Sequence, residues 1–152
     1  MRIGAYFSDL GMAALRDGVK PGLNARELGD VVERAYIRHG AVHVIHYFGV
    51  TSMQAPDLGV PRQFPRVRRV QPGDVVVAEI TAAFWDHPGQ VLRSFALGEP
   101  NKLYRDLHAA ADAAFDAIAS VLKAGVTPAE VIEASGVIED AGFTIIDDLL
   151  HG

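Results

Sequence analysis

Two side chains of this 152-residue chain, Glu79 and Gln90, are spaced to do chemistry together. Both fall on what reads as a β-hairpin. Val75 to Ala78 opens one strand, Asp86-His87-Pro88-Gly89 marks the turn, and Val91 to Leu97 returns. Side chains on paired antiparallel strands meet across one face. Two carboxylates so placed would share a divalent cation, since hard and borderline cations take oxygen ligands. Gln90 is a neutral amide and a much weaker ligand than a carboxylate. Two readings of the pair therefore stand side by side: a divalent-metal site, and polar groups that only line a pocket.

The histidines add less. His43 and His46 lie three apart on a predicted strand, so alternation sends them to opposite faces, where they cannot chelate one ion together. Either alone can act as acid or base, although a packing or surface role is the plainer reading. His87 sits in the expected turn and is solvated. His108 falls within a long helix with Asp112 as its one neighbour at i+4, a weak site. Tyr47, Phe48, Phe84 and Trp85 are of the type that walls a pocket or packs a core. Phosphate-binding Gly-x-Gly-x-x-Gly and Walker patterns are absent, as is the Gly-x-Ser-x-Gly elbow of serine hydrolases. With no cysteine there is no thiolate ligand, Cys nucleophile or disulfide.

Composition narrows the partners. The net charge is −5, whereas sequence-independent nucleic-acid binding needs a basic surface. The one basic run, Arg62, Arg66, Arg68 and Arg69, is broken by Pro61 and Pro65 and reads as a solvated loop. No stretch is long and apolar enough to span a bilayer, and Met1 to Ala5 opens no signal-peptide core. The expectation is a cytoplasmic protein without nucleic-acid or membrane partners, its zero cysteine count fitting a reducing compartment.

These residues need elements to hold them. Leu10, Ala14, Leu15 and Val19 predict an amphipathic helix over about 3–19. Lys20-Pro21-Gly22 breaks it, and Asn24 with Glu27 three residues on predicts a capping box. Leu28, Val31, Val32, Ala35 and Tyr36 supply the next apolar stripe, Gly40 the stop, and Ala41 to Phe48 a strand. Residues 49–72 read as a long loop, a length that is usually functional or mobile. Beyond the hairpin, Asn101 to Lys123 predicts a long helix. Thr127, Pro128 and Glu130 cap a second one that ends at Gly142, and Phe143 to Ile146 begins a strand. Leu15-x-x-Gly18-Val19 recurs as Leu122-x-x-Gly125-Val126, each followed by a capped helix, a glycine and a strand. Two such copies predict a pseudo-two-fold domain rather than a solenoid, which needs three or more units.

This layout resembles the creatinase/prolidase/methionine-aminopeptidase family. The matching residues are Gly73-Asp74, the strand Val75 to Ala78, Glu79 and then Gln90 eleven positions on, Arg93-Ser94-Phe95, and Leu97-Gly98-Glu99-Pro100. The run Lys123 to Glu130 resembles the family's Lys-Pro-Gly-Val-Thr turn. The resemblance implies an α+β pita-bread fold, an antiparallel sheet covered by helices. It further implies that 1–152 is a single domain, the N-terminal half plus the start of the second pseudo-repeat, cut short at its C-terminal end. The family's two ligand aspartates become Glu79 and Gln90. Its His and two further carboxylates would follow Gly152, with His151-Gly152 opening the His-containing segment.

What the resemblance then implies is a hydrolase of the aminopeptidase/creatinase kind acting on a C–N bond, amide or peptide, at a divergent and metal-free site. Creatinase itself works without metal. The expected roles are catalytic for His151 and Arg93, and substrate-binding for Glu79, Gln90, Tyr47 and Trp85. No cofactor is expected, with Mn, Co or Zn entering only if the second half supplies ligands. The alternative is a non-catalytic pita-bread module that grips a peptide or protein in the old cleft. A half domain leaves an apolar face and strand edges to be covered, so a homodimer is expected.

Overall fold

The capping signal at Asn24 is realised in full. The computed structural model describes residues 2–63 and 66–146. In it, the Asn24 side chain accepts from the N–H groups of Arg26 and Glu27, and the Glu27 carboxylate accepts from Asn24 N at 2.8 Å. Such a cap satisfies donors that a helix start leaves orphaned and contributes about 1 kcal/mol. The helix it starts, α2 (Ala25–Tyr36), buries Leu28, Val32 and Tyr36. Before it, α1 (Arg2–Gly18) buries Phe7, Met12 and Leu15. A short 3-10 turn, Ile37–His39, ends on Gly40, whose φ of 85° closes it in the left-handed region.

Three strands form one antiparallel sheet in the order β1-β2-β3, with β1 at Val42–Ser52, β2 at Asp74–Phe84 and β3 at His87–Ala96. Alternation along β2 sends Val76, Ala78, Ile80 and Ala82 to one face. There they join Phe48 and Val50 of β1 and the buried side chains of α1 and α2 in one core. Helices thus cover this face, as expected. Glu79 and Thr81 alternate onto the other.

The hairpin turn differs from expectation. It is Trp85-Asp86, with Phe84 paired to His87 and Trp85 in the left-handed region at φ 54°. Pro88 and Gly89 belong to β3. A proline is tolerated there because β3 is an outer strand. Gly89 answers a close approach instead of a turn: a Cβ on it would fall inside van der Waals contact of Gly4 and Ala5 backbone in α1. Ser8 of α1 secures the same junction, donating to Gly89 O at 2.5 Å and accepting from Ala82 N at 2.9 Å.

The loop between β1 and β2 is pinned at its ends. Thr51 Oγ1 donates to Asp57 Oδ1 and accepts from Asp57 N, and Arg66 pairs with Asp57. The buried Asp74 carboxylate accepts from Arg68 at 2.5 Å and from Gln71 N at 2.9 Å. Arg69 donates to Gly22 O at 2.6 Å. The basic run is therefore not simply solvated: three of its four arginines tie the loop to Asp57, to Asp74 at the start of β2 and to Gly22 O between α1 and α2.

Residues 1–100 and 101–152 form two compact units. In the second, α3 (Lys102–Val121) buries Ala110, Ala114 and Ile118 and contacts two short helices, α4 (Pro128–Ala134) and α5 (Val137–Asp140). The Thr127–Glu130 capping box forms as read. Two expectations fail here. The second capped helix is interrupted at Ser135-Gly136, where the Ser135 hydroxyl turns back to Ile132 O and glycine is a poor helix former. Phe143 to Ile146 is not a strand, since a strand needs a partner and among the described residues none pairs with it.

Candidate functional site

Register decides which of the expected site residues meet. Glu79 on β2 stands opposite Tyr47 on β1 and Leu92 on β3, and Gln90 stands opposite Thr81. Glu79 and Gln90 are therefore diagonal neighbours on the face away from the α1–α2 core, within reach of long side chains. They make that contact: the Gln90 amide donates from Nε2 to Glu79 Oε1. Tyr47 shares this face, half-buried. Thr81 does too, and its buried Oγ1 has no hydrogen-bond partner among the described residues. That hydroxyl was missed by sequence reasoning; a lone threonine amid the apolar run Ile80–Ala83 was the available signal.

The other expected residues go elsewhere. Arg93 pairs with Ala78, so it stands on the opposite face from Glu79, and its guanidinium donates to Leu92 O at 2.6 Å. Trp85 is 79% exposed at the hairpin tip, its ring 6.4 Å from Phe84. Phe84 packs on Phe7 of α1. His87 opens β3 rather than sitting in the turn. His108 is exposed beside Asp112 at 3.5 Å. His151 lies outside the described residues. A small cavity under the loop is lined by Ala25, Phe48, Val50, Leu58 and three arginines, and neither Glu79 nor Gln90 is among its walls.

A second group forms where none was expected. The β1–β2 register slips between His43 and Ile45, and that bulge carries His43 and His46 onto the same side. Their rings lie 4.3 Å apart, edge to face. His43 Nδ1 is 3.2 Å from Glu33 Oε1 on α2, and His46 Nε2 is 2.6 Å from the Tyr36 hydroxyl. His46 Nδ1 lies 2.6 Å from Ile45 O, an acceptor, so Nδ1 carries the proton and Nε2 accepts from Tyr36. Burial, and then the neighbouring His43, push the His46 pKa down to about 4. Burial and the Glu33 charge push the Tyr36 hydroxyl well above its ordinary value. His46 is thus neutral at physiological pH.

The whole fold has close counterparts. An X-Pro aminopeptidase from Thermotoga maritima superposes with a TM-score of 0.80 at 19% identity, over 93% of this chain and 40% of that one. Prolidase from Pyrococcus furiosus gives 0.80 at 20% identity, over 91% and 41%. Dipeptidase PepE from Mycobacterium ulcerans gives 0.79 at 22%, over 91% and 37%. Among curated proteins, none matches the sequence. The model of metallopeptidase family M24 matches residues 1–152. The chain belongs to metallopeptidase family M24. It is a hydrolase-like α+β domain of the pita-bread kind, and it spans about two fifths of the length of these structures.

An M24 protein raises the question of a divalent ion, and the hairpin residues do not fit one held between them. Glu79 offers a carboxylate, but Gln90 offers only a neutral amide, which here donates to Glu79 and, even turned to present its oxygen, is a far weaker ligand than a carboxylate. Among the described residues, the cluster of three or more His, Asp or Glu with metal-ligand spacing is Glu33-His43-His46, which does not include Glu79.

Proposed function

We propose that this M24 domain serves hydrolysis of a C–N bond, amide or peptide, at a divergent site that works without metal. The observation that carries the reading is the Gln90–Glu79 hydrogen bond in the position where two carboxylates would grip an ion. The pair presents a donor and an acceptor side by side, the pattern a peptide group recognises. Thr81 Oγ1 and Tyr47 extend that polar floor. A carboxylate fixed by an amide neighbour is held in one orientation for substrate.

The test is an assay of the protein on Xaa-Pro dipeptides and small amides, with a chelator or with Mn²⁺. Turnover unchanged by the chelator and cut at least about tenfold in Gln90→Ala is expected. Turnover that appears only with added Mn²⁺ overturns the metal-free reading. A second reading, a peptide-binding module without catalysis, is favoured by one fact: Arg93 stands on the far face of the sheet from Glu79. Micromolar peptide binding, weakened by Gln90→Ala with no turnover, would select it.

The proposal includes a cytoplasmic homodimer, the dimer supported by β3 as an outer strand open to pairing or covering, since the outer edge of β1 is bridged at Phe48 by Arg62 of the loop. Sedimentation is expected to give at least twice the chain mass, and a monomer at micromolar concentration would contradict this.

A further inference from the structure

Three side chains with ligand chemistry converge where α2 ends and β1 begins, on the helix-covered side of the sheet, away from Glu79 and Gln90. The ligand atoms offered by Glu33, His43 and His46 all lie within 4.8 Å of one another. We propose that Glu33 Oε1, His43 Nδ1 and His46 Nε2 form a zinc site, separate from the Glu79–Gln90 pair of the hairpin.

The donor set is right for the ion. Two imidazoles and a carboxylate suit Zn²⁺, whose bonds to such atoms are about 2.0–2.2 Å. Two ligands of a tetrahedral ion then stand roughly 3.3 Å apart, and the Glu33–His43 separation of 3.2 Å already has that length. The wider separations close by rotation of Glu33 and His43, which are 36% and 44% exposed, while His46 is buried and fixed. His46 also carries the support that a ligating histidine needs: Nδ1–H donates to Ile45 O, which fixes the tautomer with Nε2 as the lone pair. His43 and Glu33 are partly exposed, so solvent supplies the fourth ligand. The ion would tie the last turn of α2 to the first residues of β1, across the bulge.

One group competes. The Tyr36 hydroxyl occupies the His46 lone pair, and zinc must displace it. This gives the site a signature that a plain Glu33–His43 ion pair lacks: removing the hydroxyl should tighten zinc binding.

Chelator-stripped protein is titrated with ZnSO₄ by calorimetry, and its thermal midpoint is followed as zinc is added. The expected result is one zinc per chain with micromolar or tighter affinity and a rise in midpoint with zinc concentration. His43→Ala and Glu33→Gln each weaken binding at least about tenfold. Both positions are partly exposed, so the fold survives the changes. Tyr36→Phe tightens binding, and Glu79→Gln leaves it unchanged. No stoichiometric zinc uptake overturns the proposal, as does zinc binding that survives His43→Ala or disappears in Glu79→Gln. Because Glu79 and Gln90 take no part, failure here would leave the reading of the hairpin standing.

Discussion

Replacing Gln90 by aspartate is expected to turn the hairpin into a cation-binding surface. In the wild-type chain the Gln90 amide and the Glu79 carboxylate satisfy each other, so an ion would have to break that hydrogen bond and turn the amide to reach a neutral oxygen. With aspartate the N–H is gone and a second charge points at the same place, and affinity for hard cations follows ligand charge. Gln90→Glu makes the same point with the reach of the side chain kept. Without an ion, two carboxylates about 4 Å apart repel by between ~1 and ~4 kcal/mol, depending on how far water screens them. A divalent ion removes that repulsion. Mn²⁺ should therefore bind either variant on the order of 100-fold more tightly than wild type, and should raise the melting midpoint of the variants alone. The measurement belongs in a His43→Ala background, so that the Glu33-His43-His46 group cannot supply the signal. Equal Mn²⁺ affinity in wild type and both variants would mean that the hairpin is not a latent metal seat.

What the sequence reveals of this molecule depends on how local each signal is. The caps at Asn24 and Thr127 are legible because donor and acceptor lie three residues apart, and both form as read. The core faces of α1, α2 and β2 are legible from period alone. The hairpin frame and the Glu79–Gln90 meeting follow from spacing. The misread features are all non-local. Pro88-Gly89 looks like turn punctuation, but its glycine is demanded by a helix about eighty positions away in sequence. His43 and His46 were sent to opposite faces by strict alternation, and a bulge, which depends on what β2 requires of β1, brought them together. The roles expected of Arg93 and Tyr47 could not be sorted by type; only register shows that one stands across the sheet from Glu79 and the other beside it.

Gly89→Ala is expected to be strongly destabilising. The added Cβ would overlap backbone atoms of Gly4 and Ala5, and backbone cannot rotate aside as a long side chain can. Either α1 lifts from the hairpin or the end of β3 bends away. Lifting α1 pulls Phe7 from the core and breaks the Ser8 bonds to Gly89 O and Ala82 N, leaving buried polar groups unpaired. Overpacking costs typically 1–3 kcal/mol, and an unsatisfied buried group a similar amount, so a loss of about 3 kcal/mol or more is expected in urea denaturation. Pro88→Ala, one residue away and exposed, is the control and should change stability by less than about 1 kcal/mol. If the two variants are equally stable, the helix–hairpin contact is not the constraint described. The effect would reach the site as well. Gln90 follows Gly89 directly on β3, so bending that strand end carries the amide away from Glu79, and peptide binding or turnover at the hairpin should fall even at temperatures where the variant stays folded.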